Sequence, residues 1–102
     1  MTTLADLTET FRTAVGSDSG LGKTLKFDLK GDGFIRIDGG SVSNEDGPAD
    51  LTMTIALTDL VALGKGELEA MSAVMTGKLQ LSDMMVAMGL QPKINALMAR
   101  MK

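Results

Sequence analysis

Acid–base or nucleophilic chemistry in this chain would have to rest on 13 carboxylates, 10 lysines and arginines, and hydroxyls, because histidine and cysteine are both absent. The usual general base near neutral pH and the commonest metal ligand are therefore missing. Thiolate chemistry and disulfides are missing too. Glu67 and Glu69 come nearest to a carboxylate pair, and no nucleophile, base or oxyanion set accompanies them. Two loops imitate binding motifs. Gly16-Ser-Asp-Ser-Gly-Leu-Gly22-Lys23-Thr24 looks like a P-loop, but five residues separate its outer glycines where the motif needs four. It also follows a helical pattern and opens a strand, whereas a P-loop follows a strand and opens a helix. Asp28, Asp32 and Gly33 fall at positions 1, 5 and 6 of a calcium loop, yet positions 3 and 12 hold Lys30 and Gly39. Two oxygen ligands are lost that way, and a hairpin turn accounts for the stretch. No catalytic residue, metal site or cofactor is expected.

What remains is apolar chemistry. The chain has nine methionines and three aromatic residues, all phenylalanine, and seven of the methionines follow residue 70. Methionine is flexible and polarisable, so it suits a deformable wall around an apolar ligand. It also fills a core that lacks large rings. Both uses are open on composition alone.

The elements that would position such a wall lie in residues 49–81. Leu51, Met53, Ile55 and Leu57 alternate with Asp50, Thr52, Thr54 and Ala56, the period of a half-buried strand. Thr58 is then the predicted N-cap of a short helix bearing Leu60, Val61 and Leu63, which ends at Gly64 and Gly66. Leu68, Met71 and Met75 follow at helical spacing and stop at Gly77. Leu79 and Leu81 alternate again. The unit reads strand, helix, helix, strand, and its expected role is to enclose an apolar cavity.

The flanking chain supplies the rest. Residues 3–15 predict an amphipathic helix capped by Thr3 with Asp6 three positions on, with Leu4, Leu7, Phe11, Ala14 and Val15 on one face. Leu25 to Lys30 and Phe34 to Asp38 predict a hairpin turned by Gly31-Asp32-Gly33, and Ser41 to Asn44 a short third strand. Ser82-Asp83 predicts a helix start, Gly89 an interruption, and Leu90-Gln91-Pro92 a restart carrying Ile94, Leu97, Met98 and Met101. Helices and strands in this order predict an α+β sheet with helices on one face.

A length of 102 residues predicts one domain, with 44% apolar and 23% charged residues in the ordinary globular range. A net charge of −3 and a pI near 4.7, without a basic run or an aromatic stacking set, argue against nucleic acid as a partner. No apolar run approaches the roughly 18 residues of a membrane span, and no signal-peptide layout opens the chain. Transient membrane contact is compatible with this pattern, stable insertion is not, and the expected compartment is the cytoplasm.

The chain resembles the sterol carrier protein 2 family, also called the sterol-transfer domain. The resemblance rests on Phe27-Asp28, Ala49-Asp50-Leu51-Thr52-Met53-Thr54-Ile55, Asp59-Leu60-x-x-Leu63-x-x-Gly66-x-Leu68, Gly77-Lys78-Leu79, and Asp83-Met84 with Ala87-Met88-x-Leu90. It implies a five-stranded, mostly antiparallel sheet covered on one face by helices, with an apolar tunnel between them. It further implies non-catalytic binding, and transfer, of fatty acid, fatty acyl-CoA or sterol-like lipid. Carried over residue by residue, the lining would be Met53 and Ile55, Leu60 and Leu63, Met71 and Met75, Leu79 and Leu81, then Met84, Met88 and Leu90. Lys78 and Lys93 are the cations expected to meet a carboxylate or CoA phosphate. The chain departs from the family pattern at the tunnel mouth. Only Ser82 stands between Leu81 and Asp83, where two residues are usual, and Met85-Val86 replaces a common small residue; away from the mouth, ahead of the Gly-Lys-Leu strand, Val74-Met75 replaces a common aromatic pair, which implies a roomier or softer cavity. The alternative expectation is a protein-interaction or dimerisation module using the Met-rich C-terminal face.

Overall fold

A computed structural model of the chain describes residues 3–100. Helix α1 (Leu4–Val15) opens the fold with the capping box that its sequence predicts. The Asp6 N–H donates to the Thr3 hydroxyl at 3.2 Å, and the Thr3 N–H donates to the Asp6 carboxylate at 3.2 Å. Two backbone donors without helical partners are satisfied that way. Strands β1 (Leu25–Asp28), β2 (Phe34–Asp38), β3 (Ser41–Ser43) and β4 (Leu51–Ile55) follow. Helix α2 (Leu57–Lys65), helix α3 (Ala70–Met75), strand β5 (Leu79–Leu81) and helix α4 (Met84–Ala99) complete the chain.

The five strands form one open sheet in the order β3-β2-β1-β4-β5. Only β1 and β4 pair in parallel; the other neighbours are antiparallel. The register explains which face is buried. Leu25 lies opposite Ile37 and Leu51, Phe27 opposite Ile35 and Met53, Met53 opposite Leu81, and Ile55 opposite Leu79. Every apolar residue of the alternation therefore lands on one side, because the side-chain period of a strand is two. Helix α1 lies on that side, where Phe11 stacks on Phe27 with ring centroids 5.2 Å apart. Leu7, Phe11 and Val15 are buried there. Each contributes about 1.5–3 kcal/mol of burial free energy relative to exposure.

The opposite face is polar apart from Phe34, whose ring lies 5.5 Å below the Lys26 ammonium, and the connection from β3 to β4 crosses it. Lys26 donates to Asp46 at 2.7 Å and to the Gly47 carbonyl at 3.1 Å. Arg36 donates to the Pro48 carbonyl at 2.8 Å. Two cations that face each other across β1 and β2 thus share one crossing strap, which supplies the acceptors that offset their mutual repulsion.

Several boundaries differ from expectation: β1 ends at Asp28, not Lys30, and β3 at Ser43, not Asn44. The alternation ends at Ile55, not Leu57, and the cap of α2 is Ala56, not Thr58. The strand runs straight into the helix: the Ala56 carbonyl accepts the first helical bond from the Leu60 N–H at 2.9 Å, and the methyl side chain of Ala56 has no oxygen to cap with. Gly64 is buried inside α2, and Gly66 ends it at φ 79, a left-handed conformation that costs glycine little. The expected interruption at Gly89 is absent. Helix α4 is continuous, because its Asp83 cap accepts from the Met85 and Val86 N–H groups and Gly89 keeps a helical backbone. Pro92 sits within it without an N–H, so the carbonyl of Met88 lacks its usual donor. Met101 lies outside the described residues.

Candidate functional site

Burial divides the methionines, with Met98 partly buried between the extremes. Met53 is 7% exposed, whereas Met71, Met75, Met84, Met85 and Met88 are 65%, 81%, 53%, 84% and 67% exposed. These five come from α3 and the first half of α4, and three of them edge a groove.

The groove has a volume of about 270 Å³ and lies between the β4–β5 end of the sheet, α3 and α4. Its floor is Leu51 and Met53 of β4 with Leu79 and Leu81 of β5. One wall is Ala70, Met71 and Val74 of α3. The other is a stripe of α4, from Met84, Ala87 and Met88 to Gln91, Ile94 and Asn95. Gln91 and Asn95 are its only polar side chains. A second hollow of about 180 Å³ adjoins it, sharing Met53, Ala70, Ile94 and Asn95, and runs toward Phe27, Leu63, Leu68 and Met98.

The geometry of the mouth follows from one short connection. Ser82 ends β5 with two hydrogen bonds to Thr52, its N–H donating to the Thr52 carbonyl and its hydroxyl accepting from the Thr52 N–H. Asp83 caps α4 immediately afterwards. The helix therefore starts directly beside the floor, which sets Met84 against Leu51 and Leu81 at the groove. At the other end of β5, Gly77 makes the hinge from α3 at φ 80, where a side chain would be strained.

The model of the SCP-2 sterol transfer family matches residues 4–95. The chain belongs to this family. Lipid binding and transfer is the general activity of this sterol transfer family. Among solved structures, sterol carrier protein 2 from Yarrowia lipolytica in its apo form shares 19% identity at a TM-score of 0.71, over 92% of this chain and 91% of that one. Sterol carrier protein 2-like 2 from Aedes aegypti shares 20% at 0.70, over 84% and 90%. The UbiJ-SCP2 ubiquinone synthesis protein shares 22% at 0.57, over 98% and 83%. At these identities the likeness is one of fold. A comparison with curated protein sequences finds no match.

Within this SCP-2 fold, the residues singled out from sequence separate into groups. Met53, Met71, Leu79, Leu81, Met84 and Met88 line the groove, and Leu63 lines the adjoining hollow. Ile55 and Leu60 are fully buried in the core and line neither cavity. Met75 points into solvent, because α3 turns Ala70, Met71 and Val74 to the groove and buries Ala73. Leu90 is buried on the other side of α4, beside an open concavity that also holds Lys93, Lys23 and Met85. Lys78 is exposed one residue before Leu79. Among the described residues the apolar space is a groove, open along the edge where Met71, Met84 and Met88 stand.

The lining from Leu51, Ala70, Val74, Ala87, Gln91, Ile94 and Asn95 was missed from sequence. The signal for the α4 part was present: Met84, Met88, Gln91 and Asn95 follow at helical spacing, provided Gly89 is read as helical. Among the described residues no cluster of acidic or other ligating side chains could hold a metal ion, and no helix is long and apolar enough to cross a membrane.

Proposed function

We propose that the groove takes up one apolar ligand, a fatty acid, fatty acyl-CoA or sterol-like lipid, and releases it chemically unchanged. The observation that carries this reading is the lining itself: an apolar floor and walls with two amide side chains and no ionisable group. Such a site gains roughly 0.8 kcal/mol for each methylene it buries, and it discriminates weakly between chains of similar length. The volume of about 270 Å³ lies just under the roughly 300–1,000 Å³ of small-molecule sites, and the adjoining hollow extends it.

In this proposal Lys78 meets the head group at the β5 end. Lys93 would serve only a head group that crosses α4 at Gly89, where the space beside the backbone is open. Native mass spectrometry of freshly purified protein, before and after solvent extraction, tests the reading. A bound lipid of one class supports it. A protein that is empty and also takes up no fatty acid, acyl-CoA or sterol overturns it.

The alternative, a protein-interaction or dimerisation module, is not favoured by the family match and would rest on Met75 and Met85, which are exposed and stand outside the groove. Here the methionine face buries against another protein chain. A discrete oligomer of delipidated protein without lipid uptake would establish it in place of the first.

A further inference from the structure

We propose that Met71, Met84 and Met88 form a hydroperoxide-sensitive gate, in which conversion of their thioethers to sulfoxides closes the groove to apolar ligand. This rests on the lipid-binding reading of the groove and names a control of that same site. The argument begins with the partition of the methionines. Oxidation of a thioether needs contact with the oxidant, so exposure orders the reaction. The three rim methionines are all more than half exposed, while Met53 on the groove floor is nearly covered. A diffusing hydroperoxide therefore meets the rim first.

The chemistry needs no further group from the protein. The thioether sulfur attacks one peroxide oxygen; the O–O bond breaks, an S–O bond forms, and water or an alcohol leaves. Sulfur is oxidised by two electrons and the peroxide is reduced by two. The reverse step takes the sulfoxide oxygen away as water and is driven by the thiols of methionine sulfoxide reductases, one enzyme for each sulfoxide epimer. The chain has no cysteine that would compete for the peroxide as a thiolate.

The consequence lies in the lining. Apart from Gln91 and Asn95, the groove offers only apolar side chains, and Met71 and Met84 with Met88 stand on its two helical walls. Three sulfoxides would place three strong dipoles along both walls. An acyl chain would then have to desolvate them without offering a donor in return. Met75 and Met85 oxidise as readily, but they stand outside the groove and their sulfoxides stay in water.

The test uses the full chain and a pyrene-labelled fatty acid. Protein is treated with graded hydrogen peroxide, the excess is destroyed, and the protein is divided for peptide mass mapping and probe titration. Sulfoxide should appear at the exposed methionines before Met53. Affinity should fall about tenfold or more, the equivalent of roughly two buried methylenes. Both sulfoxide reductases together should restore it. M75L/M85L should lose affinity on oxidation as the parent does. M71L/M84L/M88L, measured against its own untreated affinity, should not change. Sulfoxide at all three rim positions with undiminished affinity overturns the gate alone, as does oxidation of Met53 at the same rate as the rim. If the untreated protein takes up no probe, the lipid-binding reading falls and the gate falls with it.

Discussion

Ser82 and Thr52 hold each other twice: the Thr52 N–H donates to the Ser82 hydroxyl at 2.9 Å, and the Ser82 N–H donates to the Thr52 carbonyl at 3.0 Å. The pair fastens the end of β5 to β4 and delivers the chain to the Asp83 cap without slack. Ser82→Ala removes one of the two bonds and leaves the Thr52 N–H without that partner. The expected loss is about 1 kcal/mol, or a fall in Tm of about 4–8 °C for a domain of this size. Thermal denaturation checks it, and an unchanged Tm would show that the connection is held by the backbone bond alone.

Met88 and Met75 offer a paired test of the groove. Met88 lines it and Met75 does not, although both are largely exposed. Met88→Asp should weaken uptake of a labelled fatty acid by about tenfold or more, because the ligand must desolvate a carboxylate. Met75→Asp should leave uptake unchanged. Neither side chain is buried, so circular dichroism and Tm should stay close to those of the parent. Equal effects at the two positions would place the ligand elsewhere.

Leu60 and Ile55 test the core. Both are fully buried and line neither cavity. Leu60→Ala should cost about 2–5 kcal/mol and Ile55→Val about 0.5–1.5 kcal/mol, read from urea denaturation. Ile55→Val should leave ligand affinity alone. A loss of affinity at unchanged stability would return Ile55 to the ligand's surroundings.

Asp6 predicts a small acid dependence. The Thr3 N–H bonded to its carboxylate, with the Thr3 hydroxyl adding to it, holds Asp6 below its ordinary value of 3.8. A carboxylate with a lowered folded value stabilises the native state above its unfolded value and loses that contribution as pH falls through the folded one. Stability from this cap is therefore complete above about pH 4 and fades below it. Denaturation of the parent and Asp6→Asn at pH 7 and pH 3 should show the difference between them shrinking in acid. A constant difference would mean that the cap acts without its charge.

Much of this architecture was legible because its signals are local. The alternation from Leu51 to Ile55 and the Thr3–Asp6 box each state their own geometry. Where several conformations satisfy the same residues, tertiary context decided. Gly89 can break a helix or sit within one, and the Asp83 cap with the buried Leu90 and Leu97 kept α4 whole. Reading a break there hid the stripe from Met84 to Asn95. Helix α3 has six residues, too few for period to fix its facing, so Met75 drew attention beside Met71 while Ala70 and Val74, which line the groove with Met71, and the buried Ala73 did not. A small residue at a close approach carries little pattern of its own.

Strand β5 has three residues and pairs only with β4. It is an edge held by a single short ladder, and α3 is joined to it through Gly77. Peeling β5 and α3 away breaks that one ladder and leaves the pairing of β3, β2, β1 and β4 whole. Such a partial opening takes less free energy than global unfolding. The groove thus has one fixed jaw, the central sheet, and one jaw hung on a ladder of three residues. Ligand entry need not wait for a preformed hole of the right width: the amides of Leu79 to Leu81 should exchange with solvent ahead of those of β1, marking the side on which the jaw swings.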